Sequence, residues 1–246
     1  MKTSGAGVSL GLSLDQSIMT LVWRYDGDNS WHCVSTPSDA TPDGIPDQLG
    51  QFASSAPASN RVTITLLRPL AHTRTVRLPR MARAALERVL SRDWMRHIIG
   101  VRTTEHTVSS APADRGRWRA SFAPTDLLVA LSPAASDLGW NQIDIRTSDD
   151  SVAGALQALA PKDAQEDDLI AVVCDTTGPT HAFHLRRGAP WIGRRFLPNA
   201  GDDDVVTFAS THASKAPVVI LGGGARAKAL ARTLGEQGRQ IRRAHV

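Results

Sequence analysis

At 246 residues the chain is long enough for one large domain or two small ones, each able to bury a core without disulfide or metal staples. A hydrophobic share of 41% with 21% charged residues excludes a disordered chain, and two cysteines, Cys33 and Cys174, exclude a disulfide scaffold. The net charge is only +4, carried mostly by arginine because Lys2, Lys162, Lys215 and Lys228 are the only lysines; no window reads as a secretory leader or a membrane span, so a reducing, cytoplasmic setting is expected.

Val8 to Trp23 predicts two short strands around a turn: Val8, Leu10 and Leu12 alternate with Ser9, Gly11 and Ser13, and Ile18, Thr20 and Val22 alternate with Met19 and Leu21. Asp26-Gly27-Asp28-Asn29 reads as a turn before a strand at Trp31, and Thr36 to Asn60 as surface loop with a short helix opening at Pro46. Val62 to Leu66 and Thr73 to Leu78 alternate as strands. Pro79 suits the first turn of a helix, whose apolar stripe runs from Met81 through Leu86, Leu90 and Trp94 to Ile98. Arginines hold its other faces.

Leu127 to Leu131 reads as a buried strand, followed by a short helix capped by Ser132 and ended by Gly139. Ile143 to Ile145 predicts a strand, Val152 to Leu159 a helix, and Leu169 to Val173 and His181 to Leu185 a hairpin across Thr177-Gly178-Pro179. Trp191 to Leu197 extends that meander. Asn199 to Asp204 reads as a turn, Val218 to Leu221 as a core strand, and Ala225 to Leu234 as a helix with room for one more strand after it. The mixture predicts an α/β or α+β protein of two halves dividing near residue 120, each built from a hairpin of core strands, then helix and strand.

Three glycine-rich or hydroxyl-rich turns, in or after core strands, are suited to phosphate or nucleoside, because such turns expose backbone N–H groups. They are Ser9-Leu10-Gly11-Leu12-Ser13 inside the opening hairpin, Cys174-Asp175-Thr176-Thr177-Gly178-Pro179-Thr180-His181 inside the hairpin of the second half, and Leu221-Gly222-Gly223-Gly224-Ala225 at a helix N-terminus. With Ala227 the last meets the dinucleotide fingerprint of an NAD(P)-binding Rossmann enzyme. Too few residues follow it to complete that fold, so this stays a third reading.

The order of these turns, one per half plus a terminal glycine–helix unit, resembles the actin-like ATPase superfamily. Val62 to Leu66 followed by Arg74-Thr75-Val76-Arg77-Leu78-Pro79-Arg80-Met81 is similar to the inserted subdomain of the PilM proteins of type IV pilus assembly and of the type II secretion L protein. Leu138-Gly139-Trp140, Gly188-Ala189-Pro190 and Arg194-Arg195 fit the same family. The resemblance implies a two-domain, ribonuclease H-like α/β fold with halves at 1–120 and 121–246 and a small α+β insert at about 61–120. The 44 positions from Gly178 to Gly222 are too few for a helical subdomain covering the nucleotide. It also implies a cytoplasmic scaffold, peripheral to the inner membrane, that docks the PilN-like N-terminal peptide of a membrane-anchored protein.

Departures from the family pattern point to a degenerate nucleotide site. Ser9 stands where the first turn normally holds a magnesium-organising aspartate, leaving Gly11 and Ser13 as its remnants. In the second turn Asp175, Thr176 and Gly178 remain, but Thr177 replaces the glycine that lets phosphate approach; Gly222, Gly223 and Gly224 look intact. If each loss costs about 2 kcal/mol, affinity falls roughly a thousandfold. Mg-ATP is therefore expected to bind weakly or not at all, no catalytic or metal-ligating residue is assigned, and an active Mg-ATPase is the alternative.

From Arg74 to Arg102 eight arginines face only Glu87 and Asp93. By resemblance Arg83, Arg88, Arg92 and Arg96 are expected to meet a partner, with an anionic membrane surface as a further acidic target. Nucleic acid is not expected, since Trp94 is the lone aromatic in this run and stacking platforms are missing. Cys174 reads as a small core residue, and His181 and His184, three apart in one strand, point to opposite faces.

Overall fold

The computed structural model describes residues 7–52, 54–79, 81–90, 105–112, 117–159, 167–174, 179–197, 200–222 and 224–244. They form two compact units, one of residues 1–72, 80–110 and 120–148 and the other of residues 73–79, 111–119 and 149–246.

In the first unit β1 (Val8–Leu14) and β2 (Ile18–Tyr25) form the opening hairpin, and β3 (His32–Pro37) adds to it antiparallel. The chain passes through α1 (Ile45–Gly50) to β4 (Arg61–Leu66), which joins β1 in parallel, and β8 (Gln142–Thr147) pairs parallel with β4. The strand order is β3-β2-β1-β4-β8. Leu10, Leu12 and Leu14 of β1 point to one face, where they pack with Ile45 and Leu49 of α1 and with Leu127 and Leu131 of α3 (Thr125–Asp137).

That helix replaces the strand expected at Leu127 to Leu131. Leu127, Leu131, Ala134 and Ala135 recur at helical spacing and are buried, whereas Val129 is 67% exposed, which alternation would forbid. Pro133 sits inside the helix on its exposed side, so the carbonyl it leaves unbonded can turn to water. Gly139, at φ +83°, closes the helix as expected: its N–H donates to the Ser136 carbonyl, and the Trp140 N–H to that of Ala135.

Between β4 and α3 lie β5 (His72–Arg77), α2 (Arg83–Leu90), β6 (His106–Pro112) and β7 (Arg117–Pro124), the three strands forming a sheet in the order β5-β7-β6. Leu86 and Leu90, one turn apart on α2, are buried as their spacing predicts; Trp94 and Ile98 lie outside the described residues. β6 and β7 are additions to the sequence reading.

The second unit repeats the first unit's sheet plan. α4 (Ser148–Leu159) leads to β9 (Asp168–Cys174), and β10 (Thr180–Arg186) and β11 (Ala189–Phe196) form an antiparallel meander with it. α5 (Asp202–His212) then crosses to β12 (Val218–Leu221), parallel to β9, and α6 (Gly224–Glu236) leads to β13 (Ile241–Ala244). The order β11-β10-β9-β12-β13 matches β3-β2-β1-β4-β8 strand for strand. α5 corrects the turn expected through Asp204: Asp202, Asp203 and Asp204 are its first turn, where carboxylates suit the positive end of the helix dipole, and Val205, Val206, Phe208 and Ala209 are buried below them. Ile170, Val172, Val218 and Ile220 pack under α5 and α6, while Ala171, Phe183 and Val219 pack with Leu156 of α4 on the opposite face.

Candidate functional site

Because β9 and β12 run parallel, with Val173 beside Leu221, the connections that follow them leave the same end of the sheet on adjacent strands. Gly222 makes that approach close. A Cβ on it would lie 2.3 Å from the Cys174 carbonyl oxygen, and its φ of +110° is one that L side chains rarely adopt. Gly224, at φ +82°, opens α6. Cys174 pairs with Thr180, so Cys174, Thr180, Leu221 and Gly222, the described residues of the second and third expected motifs or beside them, stand at this end of one sheet. Asp175, Thr176, Thr177, Gly178 and Gly223 themselves lie outside the described residues.

The chemistry available is a glycine turn entering a helix N-terminus, which exposes N–H groups and carries the positive dipole end. Arg226, in the first turn of α6, adds a cation whose Nη2 donates to the Ala200 carbonyl at 3.4 Å. Cys174 reports the surroundings: burial pushes its thiol up to about 11, against an opposing pull from Arg226 and a small push from Asp202. It is a buried core residue, as expected, and not a nucleophile. Arg226 and Asp202 were missed in the sequence. The signal for Arg226 was its place three residues past Gly223, where a helix returns its side chain toward its own N-terminus.

The first motif is placed differently. Ser9, Gly11 and Ser13 lie within β1, with Gly11 between Val22 and Thr63 and Ser13 between Thr20 and Thr65. The hairpin turn comes later, at Asp15 to Ser17, closed by the Asp15 N–H donating to the Ile18 carbonyl at 3.0 Å. A carboxylate therefore does stand at this turn, but the Asp15 residue is only 2% exposed. Gly11 is the strand residue that its alternation with Leu10 and Leu12 predicts; the reading of Ser9 to Ser13 as a phosphate-binding turn is the part that fails.

Of the expected partner-binding arginines, Arg83 opens α2 and Arg88 is exposed in its last turn, its Nε donating to the Ala84 carbonyl at 3.2 Å. Arg92 and Arg96 lie outside the described residues. At the starts of β9 and β12, opposite the glycine turn, a groove of about 650 Å³ is lined by Asp168, His184, Trp191, His212 and Lys215 among others. His184 Nε2 lies 2.7 Å from Asp168 Oδ1, and the guanidinium groups of Arg117 and Arg186 stand 4.3 and 5.1 Å from the centre of the Trp191 ring. Burial, and then the nearby His184 and Arg194, hold His212 below the usual imidazole value. His181 instead stacks on Phe183, so the two histidines do take opposite faces of β10. No group of three or more potential metal ligands occurs among the described residues, and no described helix is long and apolar enough to cross a membrane.

No family model and no curated protein sequence matches the chain. Solved structures do. A PilM–PilN type IV pilus biogenesis complex is matched at 16% identity and a TM-score of 0.66, over 97% of this chain and 88% of the other. The cytoplasmic domain of EpsL, an inner membrane component of the type II secretion system of Vibrio cholerae, is matched at 11% identity and 0.62, over 98% and 90%. A Bacteroides thetaiotaomicron protein with an actin-like ATPase fold follows at 9% identity and 0.61, over 99% and 94%. The mixed sheet around β9, antiparallel to β10 on one side and parallel to β12 on the other, is also not the sheet of a dinucleotide enzyme. By its duplicated strand order, its insert between β4 and α3, and these likenesses, the chain has the actin-like ATPase fold in the form seen in PilM and EpsL.

Proposed function

We propose that the protein is a scaffold at the cytoplasmic face of the inner membrane, docking the N-terminal peptide of a membrane-anchored partner in pilus assembly or a related secretion machine. The observation that carries the reading is the likeness over nearly the whole chain to a PilM solved with PilN, together with the insert that brings the basic helix α2. Buried Leu86 and Leu90 anchor one side of that helix, leaving Arg88 exposed for an acidic partner or lipid headgroups. The test is co-purification of the full chain from solubilised membranes. Removing the side chains of Arg83, Arg88 and Arg92 together should release the partner; retention of the partner by that variant overturns the assignment.

In this reading the nucleotide site is vestigial. Asp15 is buried at the first turn and Thr177 stands where phosphate needs a glycine, so neither feature favours a well-placed magnesium ion. The glycine turn at Gly222 with Arg226 beside it favours the second reading, an active Mg-ATPase. Calorimetric titration separates the two: Mg-ATP binding tighter than about 10 µM, with turnover lost in Asp175→Ala, overturns the vestigial site.

A further inference from the structure

The end of the second unit's sheet opposite the glycine turn carries chemistry that the proposed function leaves unused. The groove there has a volume of about 650 Å³, within the range of about 300–1,000 Å³ in which small-molecule sites fall. Every residue lining it belongs to the second unit. One wall is built by Asp168 at the start of β9, His184 and Arg186 on β10 and Trp191 on β11. The other is the end of α5 with the loop from Ala213 to Pro217.

The carboxylates of the first wall are already matched. Asp168 Oδ1 stands 2.7 Å from His184 Nε2 and 3.4 Å from Arg186 Nε, and Asp167 Oδ1 stands 3.0 Å from Arg187 Nε. With their charge met at such short range, they neither call for a cationic ligand nor repel an anionic one at full strength. The facing side holds donors instead: the Lys215 ammonium and the hydroxyls of Thr211 and Ser214, all exposed. Lys215 is the lining cation that has no ion pair among the described residues. The carbonyls past α5, which would oppose an anion, are covered: Arg239 Nη1 donates to those of Ala213 at 2.6 Å and Ala216 at 3.3 Å.

A further signal lies in the first wall. His184 is only 5% exposed, and while its Nε2 faces Asp168, its Nδ1 is buried with no hydrogen-bond partner among the described residues. Buried polar atoms are seldom left so. A water carried by a ligand, or the ligand's own oxygen once Nδ1 is protonated, supplies the missing partner. The Trp191 ring, with the guanidinium groups of Arg117 and Arg186 at 4.3 and 5.1 Å from its centre, adds flat surfaces on which a planar group stacks. We propose that this groove binds a small organic anion, a phosphate or a carboxylate, with its charged end at Lys215 and Ser214 and a planar body along Trp191. The site is separate from the glycine turn at the other end of the sheet and from the partner surface assigned to α2, and it depends on neither.

The full chain, isotope-labelled at tryptophan, is titrated at constant ionic strength with phenyl phosphate and with benzoate. The nuclear magnetic resonance signal of the Trp191 indole N–H, identified by its loss in Trp191→Phe, reports on the groove. The expected result is a saturable shift with half-saturation near about 1 mM, and the tighter of the two probes names the head group. Lys215→Gln should weaken binding about threefold and Lys215→Glu about tenfold. Both changes fall at an exposed position, and circular dichroism checks that each variant folds. The proposal is overturned by the absence of a saturable shift at about 10 mM of either probe, by binding that Lys215→Glu leaves unchanged, or by binding lost in Arg226→Glu yet kept in Lys215→Glu, which would put the anion at the glycine turn.

Discussion

Gly222→Ala tests the link between the two connections at the candidate site. The new methyl would stand 2.3 Å from the Cys174 oxygen and 3.3 Å from its carbonyl carbon, so backbone must move, and φ of +110° adds strain to any L residue. Conformational strain of this kind costs about 1–3 kcal/mol, and parting two packed strand ends adds a comparable amount, giving about 3–4 kcal/mol in all. Gly238→Ala is the control. It shares a positive φ, +75°, and the same unit, but nothing lies within 4 Å of its Cβ position, so only about 1 kcal/mol is expected. Calorimetry should show a Tm fall of about 8–12 °C for Gly222→Ala against about 2–4 °C for Gly238→Ala. Equal falls would refute the claim that the Gly222–Cys174 approach, rather than backbone conformation, demands glycine.

Leu131→Ala should cost about 2–5 kcal/mol by urea denaturation while Val129→Ala costs under about 0.5, a split that α3 requires and a strand would not show. Because burial raises the Cys174 thiol from 9.0 to about 11, the folded state keeps a proton there that the unfolded chain releases; stability present below pH 9 should fall by about 2–3 kcal/mol as pH rises to 11. Cys174→Ala should flatten that part of the stability–pH curve. Arg239, whose Nη1 donates to the carbonyls of Ala213 at 2.6 Å and Ala216 at 3.3 Å, binds down the chain just past α5; Arg239→Ala should lose about 1–2 kcal/mol and speed amide exchange over 213–217.

The strands were legible wherever one face is buried and the other is not, as in β1, β2 and β4, because alternation then records the pleat. Leu127 to Leu131 was not, since five apolar residues in a row carry no period; only the position of Val129 opposite the core separates helix from strand. The acid run before Val205 hid α5, because the same aspartates serve a turn or a helix start. Gly11 fits both the alternation of a strand and a phosphate-binding turn; it lies in mid-strand, and the actual turn at Asp15 to Ser17 holds no glycine. At the candidate site the glycines of β12–α6 were visible, and Arg226 follows them in the same helix, whereas Asp202 reaches the surroundings of Cys174 only from α5, a separate element. β7 alternates Trp118, Ala120 and Phe122, a pattern that was present and went unread.

The matching strand orders have a consequence for how the molecule can change. The step from β12 to α6 takes two residues, Gly222 and Gly223; the same step in the first half, from β4 to α3, is filled by everything from residue 67 to residue 124. One blueprint thus tolerates a minimal splice and a long insert at the same junction, residues 73–79 and 111–119 of which cluster with the second unit. The insert can acquire or lose binding chemistry while β1, β4 and β8 keep their parallel register.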